Sequence, residues 1–103
     1  MRALSIRDPH ATQIAHGKKQ IENRSWGERV RGPIALHRCG KGGAIIAVMD
    51  IVEVITWEEA LARYPDQDQY ISGPLCWVIG SVRQLPEPIP CPGRLSLWEC
   101  PDL

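Results

Sequence analysis

The chain has no apolar run of about 18 residues that would span a bilayer, and its N-terminus, MRALSIRDPH, lacks the apolar stretch and small-residue cleavage site of an export signal. A soluble, cytoplasmic protein is therefore expected, with no membrane partner. No CxxC pair occurs, and His10, His16 and His37 fall at none of the usual zinc spacings, so no metal is expected. Cys39, Cys76, Cys91 and Cys100 are even in number, which in a secreted miniprotein would suggest two bridges; without an export signal, reduced thiols are the expectation. There is no GKS phosphate loop, no GxSxG elbow and no HExxH, which removes the commonest catalytic classes, and no cofactor is expected. Internal repeats and linkers are missing too. Net charge is also lacking, since 12 Lys and Arg balance 12 Asp and Glu, and this argues against the uniformly basic footprint of many nucleic-acid binders.

The distribution of charge says more than its sum. Residues 1–42 carry nine Lys or Arg against three acids, and residues 43–103 carry three against nine. If the basic half gathers on one face it attracts an anion; if the halves interleave they neutralise each other. At 103 residues and 44% hydrophobic content, the chain can build one core hiding roughly two thirds of its unfolded surface, so a single domain over 1–103 is expected.

Local patterns divide the chain into short elements. Leu4 and Ile6 alternate with Ala3, Ser5 and Arg7, which predicts a strand over 2–7. Asp8 then caps a short helix with Pro9 at its first position, an apolar stripe of Ala11, Ile14 and Ala15, and Gly17 as its stop. Residues 20–26 and 33–39 read as strands, followed by the glycine-rich CGKGG. Residues 44–55 give the longest strand signal, apolar on both faces, as in a strand buried on both sides or bent across a barrel. Thr56 and Glu59 form a capping box for a second helix over 57–64, stopped by Pro65 and followed by PDQDQ as a polar loop. Strands are expected over 75–82 and 95–100, joined by a segment with prolines at 86, 88, 90 and 92 that straps across the outside. Five or six strands with two short helices predict a mixed α+β, mainly β fold, a small barrel rather than a doubly wound sheet.

The densest polar cluster is GKKQIENRSW, residues 17–26. Strand geometry points Gln20, Glu22 and Arg24 one way and Ile21 and Asn23 the other, with Lys19 at the strand's mouth. A lysine, a carboxylate and an arginine brought together can grip a phosphate, and the carboxylate can orient or deprotonate a nucleophile. The alternative is a solvated edge strand whose ion pair is worth under about 1 kcal/mol. Ser5 and Arg7 share a face and can complete an anion site, unless Arg7 merely pairs with Asp8. Trp26, in a turn-prone stretch beside Arg24, is the stacking candidate, while Trp77 and Trp98 read as core. His37 can act as acid or base or be a satisfied structural histidine. Asp50 and Glu53 stand on opposite faces of the long strand, so at most one can face a cleft.

The pattern Gly17, Lys19, Glu22, Arg24 resembles the GxKxxExR signature of the ASCH domain family, a branch of the PUA-like barrels. LSIRDP (4–9), RGPIALH (31–37) and GPLCWVIGSVRQLPEPIPCPGRLSLWEC (73–100) resemble further family landmarks in the same order. The resemblance implies a β-barrel whose cleft, lined by that signature, binds RNA or a modified nucleotide. Some relatives are hydrolases. In one that acts on acetylated cytidine the lysine of GxK is catalytic, which implies that role for Lys19; its catalytic threonine falls where this chain has Glu22, and its glutamate comes from the region where Asp66 and Asp68 lie. Many relatives carry an aromatic after the proline of the opening motif, where this chain has His10, a smaller stacking platform. The expected site is thus Ser5, Arg7, Lys19, Glu22, Arg24, Trp26 and His37, with RNA, a nucleotide or a modified nucleoside as partner and Lys19 and Glu22 as the catalytic pair if there is turnover. The rivals are a small hydrolase, either an amidohydrolase or a ribonuclease, and a protein-interaction module.

Overall fold

The computed structural model describes all 103 residues. Its elements run β1 (Arg2–Ile6), α1 (His10–Ala15), β2 (Ile21–Arg24), β3 (Gly32–Arg38), β4 (Ala44–Thr56), α2 (Trp57–Arg63), a 3-10 helix (Pro65–Tyr70), β5 (Leu75–Pro90) and β6 (Leu97–Glu99). The six strands form one sheet in the order β2-β5-β4-β3-β1-β6. β1 pairs parallel with β3, and every other pairing is antiparallel. The mainly β architecture is the one expected, with the addition that PDQDQY coils into a 3-10 helix rather than an open loop. No helix is long and apolar enough to cross a membrane.

The apolar pattern of β4 follows from its bulges. Its register with β5 shifts between Ile45 and Ala47 and again between Asp50 and Glu53. Each extra residue inverts which side chains point inward. Ile46, then Ala47, Met49 and Ile51, then Val54 therefore meet the central core, whereas Ile45 and Ile55 serve two smaller outer clusters. The central core is completed by Leu4, Ile34, Leu36, Trp77 and the stripe Ala11, Ile14 and Ala15, so α1 plugs the inside of the curled sheet. One outer cluster gathers Ala3, Ala35, Trp98 and Cys100; the other seats α2 through Ala60 on Ile21, Cys76 and Val78.

The proline segment corrects the expectation of an external strap. Pro86, Pro88 and Pro90 belong to β5, which runs on to Pro90 in register with Ala44 of β4. The register with β4 slips between the Ala47–Gln84 and Ile45–Ile89 pairs, so Pro86 and Pro88 fall among residues of β5 that have no β4 partner and their missing N–H groups cost no ladder bond. Pro90 is paired with Ala44 and the adjacent Cys91 N–H donates to Gly43 O, while no other strand pairs with this end of β5, because β2 pairs only with Leu75–Val78.

The sheet curls without closing. Its two edge strands, β2 and β6, do not pair with each other. β6 is three residues long and covers only Arg2–Leu4 of β1, so from Ser5 onward β1 has a free edge. Across that gap Arg24 Nη2 of β2 donates to Ser5 O at 3.2 Å, a side chain spanning a seam that the ladder leaves open.

Candidate functional site

The open seam is a cavity of about 760 Å³, a volume usual for a small-molecule site. β1 supplies Ser5 and the residue after it Arg7, α1 supplies His10, the turn after α1 supplies Lys19, and β2 supplies Glu22 and Arg24. Gly93–Ser96, the segment before β6, borders the other side.

Local chain geometry delivers Lys19. Gly17 takes φ +79°, a left-handed conformation that ends α1, and the N–H groups of Lys18 and Lys19 fold back onto Gln13 O. Lys19 is thereby turned inward and is only 4% exposed. Its Nζ donates to His10 Nδ1 at 2.9 Å and lies 3.9 Å from Glu22 Oε1. Glu22 is 6% exposed, and its Oε2 accepts from Arg24 Nε at 2.9 Å. One carboxylate thus bridges two cations in a partly dehydrated wall, where charge interactions exceed those of surface pairs. Burial pushes the Lys19 amine below the usual lysine range; Glu22 opposes that shift and Arg24 adds to it. Lys19 keeps N–H donors for a ligand, Glu22 Oε1 remains an acceptor, and Arg24 retains Nη1. The wall can therefore hold a polar planar group, neutralise an anion or move a proton.

Other expected site residues lie elsewhere. His37 is fully buried beneath the cavity: Ser5 Oγ contacts its Nδ1 at 3.1 Å, its Nε2 donates to Cys91 O at 2.8 Å, and its ring meets Trp98 edge-on at 5.5 Å. It does not line the wall. Ser5 borders the cavity, but its hydroxyl is engaged inward with His37 and with Trp98 Nε1. Trp26 is outside the lining, half-buried with its ring edge-on to Trp77 at 5.1 Å, where packing rather than stacking on a ligand occupies it. Arg7 is exposed on the rim and forms no ion pair, with Asp8 or any other acid. The Asp8 carboxylate instead accepts from Thr12 N and Thr12 Oγ1, at 2.9 and 2.7 Å. Neither Asp50 nor Glu53 lines the cavity, Glu53 being paired with Arg63.

Two contributors fall outside the expected set of site residues. His10 touches Lys19 directly instead of offering a flat stacking platform. Gln67 is buried at 5% exposure, while its neighbours Asp66 and Asp68 are exposed and outside the cavity. Its Oε1 accepts from Gln20 N at 2.7 Å and its Nε2 donates to Lys18 O at 3.1 Å, clamping the backbone on both sides of Lys19. No group of three His, Cys, Asp or Glu side chains is placed to hold a metal ion.

With this geometry in view, comparison places the fold. The ASCH domain profile matches residues 4–89, and the chain belongs to the ASCH domain family. The crystal structure of ASCH from Zymomonas mobilis superposes with a TM-score of 0.72 at 15% identity, covering 98% of this chain and 88% of that one. Comparison with curated proteins returns no match.

Proposed function

We propose that the protein binds RNA or a nucleotide through the seam cavity, with Lys19, Glu22 and Arg24 as the recognition wall and Arg7 at its rim. The observation that carries this reading is the buried Lys19–Glu22–Arg24 constellation at an open cavity. Burying ammonium and carboxylate groups costs several kcal/mol each before pairing, roughly, so a fold that turns them into a cavity rather than into solvent gains little stability from doing so. Perturbed ionisable groups in a concavity are a mark of function. Lys19 and Arg24 supply donors and positive charge to a phosphate or a carbonyl, and Glu22 holds both cations in place while offering an acceptor to an amino group. Family membership supports a nucleic-acid partner.

A hydrolase is the second reading, and the depressed Lys19 amine favours it. An amine nearer its neutral form can take a proton from an attacking water, Arg24 can donate to the oxyanion that forms on the substrate carbonyl, and the proton then passes to the leaving amine. The substrate would be an amide on a modified nucleoside such as acetylated cytidine, or, with phosphate in place of carbonyl, an RNA strand. Incubation with RNA and a panel of modified nucleosides, read by retention and by mass spectrometry, separates the two. Binding without product, lost in Lys19→Met, supports the binder; product that disappears in Lys19→Met and Glu22→Gln supports the enzyme. Retention untouched by Lys19→Met and Arg24→Gln together overturns the site.

A further inference from the structure

We infer that Cys91 and Cys100 are a redox clasp: under peroxide they join in a reversible disulfide that tightens the segment bordering the seam cavity. Closure of the clasp does not depend on what the cavity binds.

The fold brings the two thiols together from separate parts of the sheet. Cys91 follows β5 and Cys100 follows β6, and between those strands lie β4, β3 and β1. Each residue is fixed by its backbone, Cys91 N donating to Gly43 O and Cys100 N to Met1 O. Both rest on one outer cluster: Cys100 is part of it, fully buried beside Ala3, Ala35, Ile45 and Trp98, and Cys91 packs half-buried against it. A side-chain hydrogen bond joins the two thiols. All four cysteines are free, and the other two are placed differently. Cys76 belongs to the cluster under α2 and contacts Asn23 Oδ1 at 3.5 Å, while Cys39 lines the cavity.

The stretch between the two cysteines carries the border of the cavity, Gly93–Ser96. In the reduced protein that stretch is held near its ends, by His37 Nε2 donating to Cys91 O and Trp98 Nε1 donating to Ser5 Oγ. Its middle, Arg94 and Leu95, is exposed. A covalent link between the ends removes the conformations open to the stretch once it peels away, so the closed border gains relative to the lifted one. Cys91, the more exposed of the pair, meets the oxidant first. Its sulfur attacks one peroxide oxygen, the O–O bond breaks, and the departing hydroxide takes the thiol proton as water, leaving a sulfenic acid. The Cys100 sulfur then attacks the Cys91 sulfur. An S–S bond forms, and the hydroxyl leaves with the Cys100 proton as a second water. The two sulfurs lose two electrons, which the peroxide gains, and a dithiol reductant reverses the change. Burial above all, with the charge of Cys100 adding to it, pushes the Cys91 thiol up, which keeps the clasp open under mild oxidant and closes it under sustained exposure.

The test exposes the folded protein to hydrogen peroxide, blocks remaining thiols with iodoacetamide and maps tryptic peptides, since cleavage after Arg94 separates the two cysteines. Wild type is compared with Cys91→Ser, Cys100→Ala and Cys39→Ser. A Cys91–Cys100 cross-link is expected in wild type and Cys39→Ser, reversed by dithiothreitol and absent from the other two. The urea midpoint of oxidised wild type is expected to rise by about 1 M, with no rise in Cys91→Ser. Amide exchange at residues 93–96 should slow by about threefold or more on oxidation. Should the buried Cys100→Ala fail to fold, Cys91→Ser carries the comparison from its half-buried position. Oxidation of Cys39 while Cys91 and Cys100 stay free thiols, or a cross-link through Cys39, overturns the clasp. A Cys91–Cys100 link that leaves midpoint and exchange unchanged overturns its hold on the cavity border.

Discussion

Glu22 carries more of the site's electrostatic balance than either cation beside it. Removing it leaves Lys19 buried and Arg24 half-buried with no counter-charge, so Glu22→Ala is expected to lower stability by about 3 kcal/mol. Lys19→Met differs, because Glu22 keeps Arg24 and a dehydrated ammonium gives way to an apolar chain of similar length; its stability should stay within about 1 kcal/mol of wild type. Urea denaturation of both variants measures the contrast. The same residue sets a pH trend. The folded Lys19 pKa lies below its ordinary value of 10.5, so as pH rises from the folded towards the unfolded pKa the native state has already released a proton that the unfolded chain still holds. Stability from this group therefore grows with pH across that alkaline window, and the gain should vanish in Lys19→Met. At Gly93 a methyl group would stand 2.6 Å from Ser5 Oγ and 2.7 Å from His37 Cε1, neither of which is a flexible chain end. Gly93→Ala is expected to cost about 1 to 3 kcal/mol and to lift the segment that borders the cavity.

Among the elements, the 3-10 helix Pro65–Tyr70 has the largest effect on the site for its size. Gln67→Leu would leave Gln20 N–H and Lys18 C=O without their partner and cost about 2 kcal/mol. Because those groups flank Lys19, RNA affinity should fall several-fold in a variant that remains folded, as checked by circular dichroism and anisotropy. This element also marks where sequence reasoning ran out. The turn at Gly17, the Thr56 cap that accepts from Glu59 N, the apolar stripe of α1 and the alternation in β2 are local patterns, legible because each depends on neighbours a few residues away. Gln67 is 47 and 49 residues from the groups it binds, and in PDQDQ nothing distinguishes it from a solvated glutamine. His37 and Trp26 read as ligand contacts from position alone, while tertiary packing assigns them to Ser5, Cys91 and Trp77. The prolines of β5 read as an external strap because none can donate to a ladder, whereas the slipped register beside β4 lets the strand run on through them.

For the molecule as a whole, the charge asymmetry of the sequence becomes a spatial arrangement. The basic N-terminal half supplies both sides of the seam through β1 and β2, and Arg94 from the acidic half joins them at the mouth. The C-terminal half places Glu53, Glu58, Glu59 and Arg63 on β4 and α2, where Glu53 and Glu59 both pair with Arg63. A sheet that stays open between β2 and β6 is thus the architectural source of the site. The most direct test is to follow backbone amide chemical shifts while a short single-stranded RNA is titrated into labelled protein. The account predicts perturbations concentrated at residues 5–7, 19–24 and 93–96, lost in Lys19→Met. Perturbations confined to β4 and α2, with the seam residues silent, would contradict it.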